Sequence, residues 1–318
     1  MLPAALSLDL AGRSLTRIRD WTAAELDAVL DLADELKVKQ REREPHRLLE
    51  GRTLGLLFSK HSTRTRVSLE VAAAHLGATA LYLAGEQLQL ARGESIEDTA
   101  RVLSRYLDAL AIRTHAHAEV EAFAAAAGIP VVNALTDEAH PLQALADLHT
   151  IRERFGTLEG VRVAWIGDGS NVCVSLAEAC ALLGVELTCA SPVGYEPSDP
   201  TIPVVRDPRE AAEGAHVLVT DVWVSMGQED ERERRLRDLG AYSLDSGLLS
   251  LADEDAIVLH CLPAHPGEEI AGDVLYGPRS ADRVEPVAAA GRVAEDGDEP
   301  RHAGGGGSAW RRAASRSR

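Results

Sequence analysis

Lysine is nearly absent from this chain: across 318 residues it occurs at positions 37, 39 and 60 alone. Lysine and arginine together number 33 against 50 aspartates and glutamates, which leaves a formal charge of −17. Such a chain has no concentrated basic surface for a phosphate backbone, which argues against nucleic acid as a partner. The same acidity favours solubility and suits high salt, where self-repulsion is screened. No apolar run approaches the roughly 20 residues that span a bilayer, so no membrane partner is expected. Residues 1–13 have neither a basic start nor a clear cleavage site, and a cytoplasmic location is expected. Cysteine is sparse. Cys173, Cys180, Cys189 and Cys261 fit neither a CxxC metal pattern nor a disulfide framework, and the first three read as buried reduced thiols.

What is present is ordinary globular material, 45% hydrophobic, and long enough for two domains. Residues 23–40 carry apolar positions at helical spacing behind Asp20-Trp21-Thr22, which can cap a helix. The apolar run 53–59 suits a buried parallel strand, followed by a helix at 62–76 and a strand at 79–83. Alternation continues with a helix at 96–106, a strand at 109–113, a helix at 119–127 and an extended 131–133. A helix at 141–155 links this half to a second alternating unit, with strands at 161–166, 186–190, 217–220 and 256–259 and a helix ending at 183. The predicted fold class is α/β, two domains each with a parallel sheet flanked by helices, joined by interdomain helices. Gly167-Asp168-Gly169 resembles part of a dinucleotide turn, but Val172 occupies the third glycine position. A tight strand-to-helix turn is the more economical reading, and a nicotinamide oxidoreductase the less favoured one.

The segment Ser59-Lys60-His61-Ser62-Thr63-Arg64-Thr65-Arg66 leaves a strand and enters a helix. Unpaired N–H groups at the positive helix end, three hydroxyls and Arg64 form an anion cradle suited to phosphate. A capped helix with a solvated basic turn explains the same residues, and the Walker A spacing is absent. Arg113 ends a strand, where α/β sheets put ligands, or is a surface arginine. His140 stands before Pro141 at a helix entrance, where it can donate to a developing oxyanion or serve as a structural hydrogen-bonder.

STRTR at 62–66, RT at 113–114, HPLQ at 140–143, DGSNV at 168–172, DVWVSMG at 221–227 and HCLPAH at 260–265 occur in one order. This series resembles the aspartate/ornithine carbamoyltransferase family over roughly residues 8–280, and SMG with HCLP is similar to its ornithine-specific branch. The resemblance implies a carbamoyl-phosphate-binding domain at 1–147, an ornithine-binding domain at 148–280 and an atypical tail at 281–318. It implies transfer of the carbamoyl group of carbamoyl phosphate to the side-chain amine of L-ornithine, giving L-citrulline and phosphate. Another amine acceptor, or a family member impaired by its tail, is the alternative. Carried over by position, Ser62, Thr63, Arg64 and Thr65 would hold phosphate. Arg113, His140 and Gln143 would grip the carbamoyl oxygen and amide. Cys261 and Leu262 would face that amide, with a cis Leu262–Pro263 bond. Gln89 would reach the site of an adjacent subunit in a homotrimer or a multiple of trimers. Asn171, Asp221, Ser225 and Met226 would bind ornithine. Arg64, Arg113, His140 and Cys261 would be catalytic, and no metal or organic cofactor is needed. His115 and His117 with Glu119 are not read as a zinc site, because no step in this scheme requires one.

The chain departs from the family pattern in three places. Ala91 replaces a usual glycine after Gln89, Pro266 stands where many relatives have arginine, and the resemblance stops near residue 280. Relatives end in a helix, similar to VVWDQAENRxHxQK, that packs back on the first domain and supplies a ligand-binding arginine. Here Gly304 to Gly307, Pro286, Pro300 and a basic end make a continuous helix unfavourable. The tail reads either as natural disorder or as translation out of frame. Codons compatible with Ala281 onward, read one base later, permit RIVWNQSQQRVESQKT, which restores the family's spacing of Gln, Arg and Lys. The nucleotide sequence tests this directly: codons that cannot yield the alternative string sink the frameshift.

Overall fold

The apolar strands come in two sets, and each set can bury both of its faces only if the returning helices cover them. The computed structural model describes residues 10–225 and 229–281 and holds two all-parallel sheets of this kind. In the first half α1 (Ala23–Arg41), β1 (Thr53–Phe58), α2 (Thr63–His75), β2 (Thr79–Ala84) and α3 (Ile96–Leu103) follow one another. Then come β3 (Ala109–Arg113), α4 (His117–Ala126) and β4 (Val131–Leu135), giving the strand order β2-β1-β3-β4. α5 (Pro141–Phe155) leads into β5 (Arg162–Ile166), α6 (Asn171–Leu183), β6 (Glu186–Ala190), β7 (Val204–Val205), α7 (Pro208–Ala212) and β8 (Val217–Thr220). α8 (Arg232–Leu239), α9 (Ser246–Leu249), β9 (Ile257–His260) and α10 (Gly272–Leu275) complete the second half, with strand order β7-β6-β5-β8-β9.

Each sheet reverses its direction of growth at its first strand. β1 is flanked by β2 and β3, and β5 by β6 and β8. Crossover helices diverge at such a point and leave a crevice beyond the carboxyl ends of the strands. Phe58 and Arg113 stand side by side at one crevice, and the ends of β5 and β8 form the other.

α5 holds the halves together. Every residue from Pro141 to Ile151 is buried, polar ones included, so this helix has no solvent face over three turns. One apolar cluster runs from Leu56 and Phe58 through Leu142 and Leu148 to Val163 and Trp165. The expected domain boundary at 147/148 falls inside this helix. Among the described residues no helix is long and apolar enough to cross a membrane.

Several element ends differ from the sequence reading. α3 stops at Leu103, and at its cap the Ser104 hydroxyl and N–H both donate to the Ala100 carbonyl, at 2.7 and 3.0 Å. β4 runs on to Leu135 past a register shift beside Arg113. β9 extends to His260, which pairs with Thr220. The 167–169 turn is a packing device. A Cβ on Gly169 would lie 2.2 Å from the Pro197 nitrogen and 2.5 Å from its Cδ, so the backbone approach is to Pro197. Gly169→Ala is expected to cost about 1–3 kcal/mol through forced displacement of that loop. Urea denaturation measures it, and an unchanged midpoint would show that the loop yields freely.

Candidate active site

The two crevices open on one cleft of about 870 Å³. Its first wall is the N-terminus of α2. Ser62 caps the helix from an extended conformation: its Oγ accepts from the Thr65 N–H at 3.3 Å and donates to Thr65 Oγ1 at 3.0 Å. Ser62, Thr63, Arg64 and Thr65 all line the cleft, with Thr63 and Arg64 exposed to it. Arg66 points elsewhere, lying 3.8 Å over the Tyr82 ring and bonding Glu70, so the basic pair of STRTR divides between two faces. Lys60, which motif matching left out, also lines the cleft and is buried, ion-paired with Asp137.

Arg113 is carried by the end of β3 next to β1, where its carbonyl accepts the Ser59 N–H at 2.8 Å. Its Nη1 donates to Thr65 Oγ1 at 3.4 Å, and its buried Nε has no partner. Burial pulls its pKa down to about 10, opposed by Cys261, so the guanidinium remains cationic at neutral pH. His140 sits before the first turn of α5, with its backbone N–H on Ser175 Oγ at 2.8 Å. Its ring is buried against the cleft and Nδ1 has no partner. Burial first, and then the charge of Arg113, drives its pKa down to about 3. The ring is therefore a neutral imidazole, able to donate one N–H.

Asp221 follows β8 on the opposite wall and is buried. Its Oδ1 accepts from the Val222 N–H at 2.7 Å and from Cys261 Sγ at 2.8 Å, and its Oδ2 from Ser170 Oγ at 3.3 Å. Asn171 opens α6 and donates to the Thr136 carbonyl at 2.5 Å, tying this wall to the first half. Ser225, Cys261 and Leu262 line the cleft, and the Leu262–Pro263 bond is cis. Met226 lies outside the described residues, as does the tail from 282 onward.

Two expected site residues are not in this wall. Gln143 is buried one turn behind His140, with its Nε2 on Asp147 Oδ1 at 2.8 Å and its Oε1 unpartnered. Gln89 is exposed on the short turn Gln89–Arg92 and does not line the cleft. Arg235, by contrast, belongs to no motif, and Asp168, although it opens DGSNV, is assigned no role by the resemblance. Arg235 reaches from α8 to Asp168 Oδ2 at 2.7 Å and to the Trp223 carbonyl at 3.1 Å. Burial raises the Asp168 pKa against the pull of Arg235, with Asp221 and Glu231 adding to the rise. The signal was a cluster of arginines after DVWVSMG in an acidic chain, but spacing could not say which of them turns inward.

The cleft is thus polarised. Arg64 and Arg113 lie on the wall of the first sheet, where Lys60 is paired with Asp137 and Glu138 with Arg17, and Asp221 lies on the wall of the second, where Asp168 is paired with Arg235 and Glu196 with Arg206. Among the described residues two groups each hold three metal-ligating atoms within 4.8 Å of one another, namely Asp221, His260 and Cys261, and His265, Glu268 and Glu269. Most of those side chains are already engaged with one another or with Arg232. His115 and His117 diverge: the first faces Asp137 at 3.5 Å, and the second is buried with its Nδ1 2.9 Å from Thr136 Oγ1.

Comparison with known proteins agrees with this architecture. Residues 13–153 match the carbamoyl-P binding domain of aspartate/ornithine carbamoyltransferases, and residues 159–285 match the Asp/Orn binding domain. An ornithine carbamoyltransferase of Methanoculleus marisnigri is 50% identical over 273 residues, covering 83% of this chain and 88% of that one. The solved ornithine carbamoyltransferase of Pyrococcus furiosus superposes with a TM-score of 0.84 at 46% identity, covering 90% of this chain and 95% of its own. That of Thermus thermophilus gives 0.79 at 45%, covering 88% and 94%. With both domain models matched in order and identity near one half, the chain belongs to the aspartate/ornithine carbamoyltransferase family.

Proposed function

We propose that this protein is an ornithine carbamoyltransferase of arginine metabolism, moving the carbamoyl group of carbamoyl phosphate to the side-chain amine of L-ornithine. The observation that carries this reading is the pair of groups facing each other across the cleft: Arg64 and Arg113 beside the N-terminus of α2 would take a phosphate, and Asp221 on the other wall would take an ammonium group. The relatives are named ornithine carbamoyltransferases, and the matched domains are described as binding carbamoyl-P and Asp/Orn, which supports the same pair of substrates. Residues up to 147 would serve carbamoyl phosphate and residues 148–280 ornithine. The site would work in a cytoplasmic homotrimer or multiple of trimers, with Gln89 serving a neighbouring subunit.

Phosphate would sit on Ser62, Thr63, Arg64 and Thr65, and the carbamoyl oxygen against Arg113 and His140. Gln143 would support the amide end from behind His140. Asp221 would pair with the α-ammonium of ornithine, and Asn171, Ser225 and the backbone near Met226 would take the carboxylate. The side-chain amine, with an ordinary pKa near that of lysine at about 10.4, must lose its proton before it attacks. A desolvated cleft favours the neutral amine. The amine nitrogen then bonds to the carbamoyl carbon and the negative charge gathers on oxygen between Arg113 and His140. Collapse breaks the bond to the phosphate oxygen, the extra proton on the attacking nitrogen passes to the leaving phosphate, and phosphate returns to Arg64. Cys261 and Leu262 would orient the amide. No acyl-enzyme is required, because the acceptor amine is itself the nucleophile.

Citrulline formation by the 318-residue chain is the direct test. Arg64→Ala is expected to lower kcat/KM about 10²–10³-fold, as loss of a donor to developing charge does. Asp221→Asn is expected to raise the KM for ornithine about 10–10²-fold with much less change for carbamoyl phosphate, since it removes a charge-assisted contact to one substrate. Carbamoylation of putrescine or an acylated ornithine in preference to ornithine would move the assignment to another acceptor.

The neutral state of His140 has a consequence for stability. Its folded pKa of about 3 lies below its ordinary 6.5, so the unfolded chain binds a proton that the native ring refuses. Above pH 6.5 the ring is neutral in both states and costs nothing, and the native state loses stability as pH falls from there toward 3. Melting curves across that window should fall more steeply for the wild type than for His140→Asn. Parallel curves would show that the ring takes up its proton in the folded state.

A further inference from the structure

Behind the Cys261–Leu262 turn lies a buried acid that has no part in the transfer scheme. Glu269 is fully buried, and its Oε1 accepts two hydrogen bonds, from the His265 backbone N–H at 2.5 Å and from His260 Nε2 at 3.1 Å. The other ring nitrogen of His260, Nδ1, stands 2.9 Å from the Leu262 backbone N–H. A backbone N–H can only donate, so Nδ1 is the acceptor and the ring proton sits on Nε2, facing the carboxylate. One tautomer satisfies both contacts. The Pro266–Ile270 return, closed by the Gly267 N–H on the Ile270 carbonyl at 2.8 Å, brings Glu269 back beneath His260. The remaining carboxylate oxygen faces His265 Nδ1 at 3.7 Å, and His265 lines the cleft.

This arrangement bears on a segment that does not hold its own shape. Leu262 has φ +45°, a region sparsely populated by residues with a Cβ, so its conformation must be imposed by its surroundings. The His260 acceptor supplies that restraint at the Leu262 nitrogen, and Glu269 fixes the ring that bears it. The adjacent Cys261 is thereby presented to Asp221, its partner at 2.8 Å.

We propose that Glu269 is a positioning residue for this reaction, acting through His260 to fix Leu262 and Cys261 at the carbamoyl end of the cleft. The proposal rests on the carbamoyltransferase reading for its effect on rate, but not for its effect on Cys261. The other three cysteines are buried, so a thiol reagent such as dithionitrobenzoate acting on the native full chain reports Cys261 first.

The experiment compares Glu269→Gln, Glu269→Ala, His260→Ala and the double alanine variant by steady-state kinetics with both substrates and by native thiol labelling. A misplacement on the ångström scale costs about 10²-fold, so Glu269→Ala is expected to lower kcat by that order, more than it raises either KM, and to speed labelling of Cys261. Glu269→Gln retains a carbonyl oxygen for both donors and should restore most of kcat and the slow labelling. In the His260→Ala background, Glu269→Ala should cost little more, because the two act as one unit. If Glu269→Ala does not fold, Glu269→Met, of similar length but with no acceptor oxygen, replaces it. Equal losses in the Gln and Ala variants, or additive effects with His260→Ala, would overturn the proposal. If the wild type makes no citrulline, the functional reading fails separately. Labelling then still decides the positioning role, which an unchanged rate in Glu269→Ala would refute.

Discussion

α5 lies buried from Pro141 to Ile151 between two parallel sheets, and its first turn begins at the residue that faces the cleft. Burial on all sides fixes this helix in both rotation and height, because a core packed at crystal-like density tolerates neither. His140 inherits that fixity through Pro141 and through its backbone bond to Ser175 on α6. The two crevices face each other because the same helix packs against α6 while sharing a core with β1. A wall from each sheet then meets across one cleft, although the residues concerned are far apart in sequence.

The charge pattern follows from the same placement. To hold the phosphate proposed for it, a chain of net charge −17 would need cations where strand ends and a helix N-terminus converge, and Arg64 and Arg113 stand there. Lys60, one of few lysines, is buried beside the cleft but neutralised by Asp137, which leaves the two arginines as the cations of that wall. The opposite wall presents Asp221, with Arg235 bracing Asp168 and the loop at Trp223. An ammonium-bearing acceptor and a phosphate-bearing donor would be drawn to opposite sides and brought together in the middle.

Much of the architecture was legible in the residues. Parallel strands covered on both faces are apolar throughout, so β1, β3, β5, β6 and β8 announce themselves, and α5 is bounded by Pro141 and Gly156. β7 is two residues long, and α8 buries only Arg235 and Leu239, so neither carries a periodic signal. The local motifs brought Ser62, Thr63, Arg64, Thr65, Arg113, His140, Asn171, Asp221, Ser225, Cys261 and Leu262 to one cleft. Gln143 shows the limit of motif matching. HPLQ places it three residues after His140, roughly one turn along the same face, yet it is engaged with Asp147 behind the wall. Glu269 shows a different limit, since its importance depends on a return of the chain that spacing alone does not specify.

Arg113 and His140 are best understood together. Both are pushed toward their neutral forms by burial, but from starting points far apart, so the guanidinium keeps its charge and the imidazole loses its own. The charge of Arg113 itself deepens the shift of His140. Two cations at that point would bind a ground-state carbonyl tightly and repel an incoming protonated amine. One cation and one neutral donor leave the field modest until charge develops on oxygen, when both contacts strengthen. In the proposed reaction the pairing would place stabilisation where the transition state needs it, with burial first and the charge of Arg113 second holding the imidazole neutral.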